Sequence, residues 1–256
     1  MSTVTGIGAV ASFQLRRLVT PQRLTLGLVG AAFPAALVLA VRRIEPELDH
    51  DVLVALIYAL IPEAVCMLGL LVSMCPAVAD ELERGTWPHI VVRPRGRRSL
   101  LVGTAIAAVT WTAGIALVAL ALAVAAAGLG GSPGLVAMFA ALVVLSCVGR
   151  AALFALPAVI VPKRALVASV GVAVVVEYLA GFLPAVVNQL TVSLRLRSLL
   201  VAWMDWRHKL PAEFRLIVDD RPPWMQMATL LLLAATLMVV ALVILERRQF
   251  PPSAES

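Results

Sequence analysis

The chain has 256 residues, of which 61% are hydrophobic and 14% charged, with a mean hydropathy of +0.98 and a formal net charge of +6. Soluble domains average roughly 25% charged residues, and water cannot solvate this density of Leu, Val and Ala, so the composition excludes a soluble protein and requires a bilayer. Membrane proteins concentrate Lys and Arg in cytoplasmic loops, and no soluble basic domain is visible, so the positive balance does not imply a nucleic-acid partner.

Residues 1–23 read as an interfacial helix that turns into the first span. In "VASFQLRRLVTPQRLTLGL", Ala11, Leu15 and Leu18 recur at helical spacing and are expected to face lipid. Arg16 then points toward phosphates, Arg17 lies at the edge, and Pro21 breaks the helix. The first turns lack the continuous apolar core of a cleavable signal peptide, so the chain is expected to insert whole.

Six spans satisfy the roughly 20-residue requirement for crossing hydrocarbon: 24–41, 51–79, 101–127, 135–161, 165–187 and 225–245. The first is marginal, with Gly27, Gly30 and Pro34 inside it, and the second is long enough to tilt or to project from the bilayer. Cys66, Cys75 and Cys147 fall inside apolar runs with no His beside them, which argues against both a disulfide framework and a metal site. An even number of spans puts both termini on one side. The positive charge of the short segments on that side places it in the cytoplasm of a multi-pass cell-membrane protein, N-in and C-in.

Between the second and third spans runs "ADELERGTWPHIVVRPRGRRSLLVG", residues 79–103. Asp80, Glu81 and Glu83 leave the lipid, and Gly85 permits a turn that a side chain would resist. Thr86 is placed to cap a new helix, Trp87-Pro88 suits its first turn, and Arg93-Pro94 ends it near Val92. Ser99 is placed to cap the third span. Trp87, Ile90 and Val91 form apolar knobs on this short helix. Physics alone leaves two uses open, a fit into a groove on a soluble partner and a helix lying flat on the headgroups.

Residues 188–224 form a long outer segment. In "LRLRSLLVAWMDWRHKL", Leu196, Leu199, Leu200, Trp203 and Trp206 recur at helical spacing, with Arg195, Ser198, Asp205 and Arg207 on the other side. That pattern predicts an amphipathic helix on the outer interface, its tryptophans among headgroups. Residues 249–256 form a short tail.

Three ionisable residues lie deep in apolar runs: Glu63, Arg150 and Glu177. Arg150 is twelve residues before Pro162 and Glu177 twelve after Ala165, so both lie about 18 Å from the inner end, with Glu63 at a similar depth. Each charge is costly there unless paired. They form either an Arg150–Glu177 ion pair that pins two helices or a polar layer along a substrate path or dimer seam. Pro62, Pro157 and Pro184 can each bend a span, which transmembrane helices tolerate without functional meaning.

The stretch "DELERGTWPHIVVRPRGRRSLLVG" resembles the cytoplasmic loop of type-2 ABC (ATP-binding cassette) exporter permeases. Glu81, Glu83, Gly85, Thr86, Pro94, Arg97 or Arg98, and Gly103 match in order, and "LRRLVTPQRL" at 15–24 resembles the start of those chains. The resemblance implies an all-α integral membrane protein, a single permease domain over 1–256. Its parts are six transmembrane helices, an N-terminal interfacial helix, a cytoplasmic coupling helix within 80–100 between spans 2 and 3, and an outer amphipathic helix between spans 5 and 6. It also implies that Glu81, Glu83, Gly85, Thr86, Trp87, Pro88, Ile90, Val91, Arg93 and Pro94 form an ATPase-coupling segment. The family works as two permease subunits, identical or homologous, with two ATPases that hold ATP and Mg. The chain has no G-x-x-x-x-G-K-[ST] phosphate loop, so the ATPase would be a separate polypeptide and this chain a transport subunit without catalytic residues.

The competing class is a stand-alone ion-coupled secondary transporter using Glu63, Arg150 and Glu177. Such a fold is expected to show an internal repeat, and none is visible. An intramembrane enzyme is disfavoured, because His50, His89 and His208 lie near span ends or in loops with no paired acid or nucleophile. The aliphatic composition admits lipids, hydrophobic drugs, peptides or polymers as substrates.

Overall fold

A computed structural model describes residues 3–93, 95–179, 191–209 and 218–248, and among these every regular element is helical. Helix α1 spans Thr3–Leu18 and α2 spans Pro21–Ile44. Thr20 caps α2, its hydroxyl accepting from the Arg23 N–H, and Pro21 takes the first position, where a missing N–H costs nothing. Helix α3 runs over His50–Glu83, with a π-helical turn at Ala59–Val65 and a 3-10 turn at Cys75–Ala77. Then follow α4 (Trp87–Val92), α5 (Gly96–Ala127), α6 (Pro133–Ile160) and α7 (Ala165–Val172), which continues as a second π turn at Ala173–Leu179. Helix α8 is Val192–Trp203 and α9 is Pro223–Arg247.

Helices α2, α3, α5, α6 and α9 are long and apolar enough to cross a bilayer, and they match five of the six expected spans. The fifth expected span, 165–187, is described only as far as Leu179, and Pro184 and the tail at 249–256 also lie outside the described residues. At about 1.5 Å per residue α5 is roughly 48 Å long, so it carries Arg97 and Arg98 beyond a hydrocarbon core of about 30 Å.

Helix α5 packs against α1, α2, α3 and α6, and α6 in turn packs against α3, α7, α8 and α9. The buried face of α5 is mostly small, with Gly103, Ala105, Ala108, Ala116, Ala119 and Ala123 among the larger Leu100, Leu101, Leu120 and Val124. Helices in lipid gain no hydrophobic drive from meeting one another, so close backbone approach supplies the attraction. The outward faces of α2 and α9 remain apolar and exposed, with Leu26, Phe33, Leu232 and Val239 directed away from the bundle.

Two elements differ from the expectations of the sequence. In α1, Gln14 and Leu18 are buried while Phe13 is exposed. The apolar stripe thus serves α5 rather than lipid: a Cβ on Gly103 would come within 2.7 Å of the Val10 side chain. Helix α8 does not float as a surface helix. Leu196, Leu199 and Leu200 are buried, and so are Arg195 and Ser198 on its polar side. The helix is wedged against α6 and α9, because its polar side chains find partners in the protein instead of water.

Candidate functional site

The segment between α3 and α5 is built around one carboxylate. Glu81, 6% exposed, accepts from the Arg17 guanidinium at 2.6 Å, from the Gln14 amide at 3.2 Å and from the Thr86 hydroxyl. Arg17 also reaches Asp80 at 3.1 Å. Arg17 therefore ties α1 to the end of α3. Gly85 then turns the chain at φ +67°, a conformation that a Cβ would strain. Thr86 makes no side-chain cap on α4, because its hydroxyl is already given to Glu81; its carbonyl instead accepts from the N–H groups of His89 and Ile90.

Helix α4 has the expected bounds, but its faces are divided differently. Trp87 is 7% exposed and packs into the core, with the Arg97 guanidinium 5.8 Å from its ring centroid. Ile90 is half-buried against the same core. The exposed side consists of Pro88, His89, Val91 and Val92, with Glu83, Arg84 and Arg93 at its ends. Val92, not among the apolar knobs expected from the sequence, is 84% exposed. Pro94 lies outside the described residues. Ser99 does not cap α5, which starts earlier, after Arg95 in a left-handed conformation at φ 60°.

Arg97 and Arg98 fasten the far end of this segment. Arg97 donates to the final carbonyls of α9, at 3.1 Å to Leu245 and 2.7 Å to Glu246, and Arg98 forms an ion pair with Glu246. Arg248 donates to the Val159 and Ile160 carbonyls at the end of α6. The segment between α3 and α5 is thus held by α1 on one side and by α9 on the other.

Deeper in the bundle, Glu63, Arg150 and Glu177 converge, all buried. Arg150 pairs with Glu63 and lies 3.6 Å from Glu177, so the pairing expected with Glu177 is the looser of the two. Glu177 also receives the start of α8: it accepts from the backbone N–H groups of Val192 (3.1 Å) and Ser193 (3.0 Å), the first residues of that helix. The positive helix end and these donors offset the second buried carboxylate. The Ser193 hydroxyl reaches Glu177 and Glu63, at 2.5 and 3.0 Å, and the Tyr58 hydroxyl donates to Glu63 at 2.7 Å. Gly149 makes the junction possible, since a Cβ there would meet the Val192 side chain at 2.9 Å.

Pro62 supplies a further acceptor. Lacking an N–H, it sits in the π turn, where the Cys66 N–H bonds the Ile61 carbonyl. In an α-helix that N–H would bond Pro62, whose carbonyl here accepts from the Ser146 hydroxyl at 2.6 Å and from Arg150. Ser146 and Arg150 are four apart on α6, a spacing readable in the sequence. Ser193 and the Gln14–Arg17 pair gave no such signal, because their partners are remote in the chain.

A second polar knot joins α8 to the start of α9. Arg195 pairs with Asp219 at 2.5 Å and donates to Gln226 at 2.8 Å, and the Ser198 hydroxyl accepts from the Asp219 N–H at 2.9 Å. Burial alone would raise the Asp219 carboxyl, but the Arg221 N–H and the Arg195 guanidinium outweigh it and hold it below the usual carboxylate range. At the start of α3, Asp51 accepts from the Trp206 ring N–H at 3.0 Å and from Lys209 at 2.5 Å.

No curated protein matches the chain. The family model described as ABC-2 family transporter protein matches residues 22–180, more than half of the chain. That range begins at α2, includes the whole segment between α3 and α5, and ends just past Glu177, so it takes in Glu81, α4 and the Glu63, Arg150 and Glu177 group but not their partners Gln14, Arg17 and Ser193. The match favours a permease over a stand-alone ion-coupled transporter: this multi-pass membrane protein belongs to the ABC-2 transporter family and is a membrane permease of an ABC transporter.

Proposed function

We propose that the chain is the membrane subunit of an ATP-driven exporter in the cytoplasmic membrane, oriented N-in and C-in. Two copies, or one copy and a homologue, work with two ATPase subunits that bind ATP and Mg. The segment at 80–100 is the coupling element, and α4 sits in a cleft on the ATPase. The observation that carries this reading is the division of α4: Trp87 anchors it to the permease while Pro88, His89, Val91 and Val92 stay exposed on a short, braced helix. An exposed apolar face on a braced helix suits a protein partner. Glu81, Glu83, Gly85, Thr86 and Arg93 shape and flank that helix, and Ile90 supports it from below.

The polar layer of Glu63, Arg150 and Glu177 acts in this reading as the pin between α3, α6, α7 and α8. The test is to express the chain with its candidate ATPase, purify through a tag on the permease, and assay ATP hydrolysis. The Val91→Asp/Val92→Asp double variant is expected to lose the ATPase from the complex while the permease keeps its thermal stability. Retention of the ATPase, with unchanged turnover, would sink the coupling role of α4.

A further inference from the structure

Between α1, α2, α3 and α5 lies a cavity of about 260 Å³ that borders the Arg17–Asp80 pair on one side and is separate from the buried polar layer. Arg17, Arg23 and Arg84 line it, opposed in its wall by Asp80. Arg17 is already engaged by Asp80 and Glu81. The guanidinium groups of Arg23, half-buried, and Arg84, exposed at the mouth, have no hydrogen bond or ion pair among the described residues, so two cations border the same opening. Thr104 in the wall is 5% exposed, and its hydroxyl has no hydrogen-bond partner among the described residues. A buried hydroxyl left without a partner is costly, and the two guanidinium groups leave unopposed positive charge beside it. An anion with several acceptor oxygens relieves both.

The position of the cavity identifies the anion. It lies where α2 begins, at Thr20 and Arg23, and the partial positive charge of that helix end adds to the guanidinium groups. From there α2 runs onward with Leu24, Leu26 and Leu28 exposed, an apolar surface suited to acyl chains. We propose that this cavity binds the phosphate of an anionic phospholipid headgroup, with Arg23 and Arg84 as its charged donors and Thr104 as a neutral one. Guanidinium groups bind phosphate oxygens through paired hydrogen bonds, which supports selection of phosphate over a zwitterionic surface in general. Occupancy ties the start of α2 to Arg84, the residue immediately before the Gly85 turn.

The test uses the full-length purified chain in detergent, titrated with dioleoylphosphatidylglycerol, dioleoylphosphatidylcholine or inorganic phosphate, with binding read by native mass spectrometry and thermal shift. Phosphatidylglycerol is expected to bind and raise the melting temperature, with phosphatidylcholine and inorganic phosphate much weaker. The R23Q/R84Q variant is expected to bind phosphatidylglycerol roughly thirty-fold more weakly, the combined effect of two lost charges near the membrane surface. The R23K/R84K variant keeps most of the affinity, and R16Q, which alters an exposed arginine outside the cavity, stays within about twofold of the parent. Since Arg23 and Arg84 hold no other contact through their guanidinium groups among the described residues, these changes leave the fold standing. Unchanged binding by R23Q/R84Q would overturn the site. An equal loss in R16Q would replace it with general surface attraction, and inorganic phosphate binding as tightly as the lipid would replace the lipid with a free anion.

Discussion

Arg150 is held by groups that come from four separate elements, and this makes its removal severe. Truncating it leaves Glu63 and Glu177 buried without their cation, and breaking a buried pair in this way costs about 3–5 kcal/mol. Arg150→Ala is therefore expected to lower the melting temperature of the purified chain steeply, and Glu63→Gln, which keeps the acceptor oxygen for Tyr58, to lower it much less. Gly149→Val tests the adjoining contact: overpacking against Val192 is expected to cost about 1–3 kcal/mol, with the loss seen as faster unfolding of the purified chain. At this scale the sequence was informative about cost and silent about partners. Charges deep in apolar runs announced that Glu63, Arg150 and Glu177 had to meet something, and equal depth brought them to one level. The hydroxyl of Ser193 and the Pro62 carbonyl were not legible, since the first arrives from a remote segment and the second depends on a one-residue shift in helical bonding.

Among the elements, α4 and α8 show opposite ways in which amphipathicity misleads. Both carry apolar and polar sides, yet α4 turns its largest apolar residue inward and α8 buries its polar side as well. Periodicity gives the faces of a helix but not what covers them. The Trp87→Ala variant is expected to cost about 3 kcal/mol and to hasten proteolysis within residues 84–95, whereas Val92→Asp changes stability by less than about 0.5 kcal/mol. Limited digestion of the two variants separates anchor from exposed face. Helix α8 has its own signature in pH. Asp219 has a lowered carboxyl in the folded chain, so its contribution is complete above the ordinary carboxylate range and fades as pH falls through the lowered value. Acidification below about pH 4 is expected to loosen residues 218–222 from α8, read as faster amide exchange there, and Asp219→Asn is expected to remove that step.

For the whole molecule, the long apolar runs were the most legible feature: five of the expected spans appear as helices within a few residues of their expected limits. What could not be read was which helix touches which, because small aliphatic side chains look alike from every direction. The proposed orientation has a direct test. In a background lacking Cys66, Cys75 and Cys147, a cysteine at position 205 is expected to react with an impermeant maleimide on intact cells, and one at position 89 only after permeabilisation. Reaction of both on intact cells would contradict the N-in, C-in arrangement.

The bracing of the segment between α3 and α5 from both sides also bears on the order in which the chain is made. Its near brace, Arg17 with Asp80 and Glu81, is available as soon as α3 has been synthesised. Its far brace waits for Leu245, Glu246 and Arg248, more than a hundred residues later. A ribosome that stalls before α9 releases a chain whose α4 segment is fastened at one end only. A partner that reads α4 in its braced position would then inspect the finished permease, and assembly would itself reject incomplete copies.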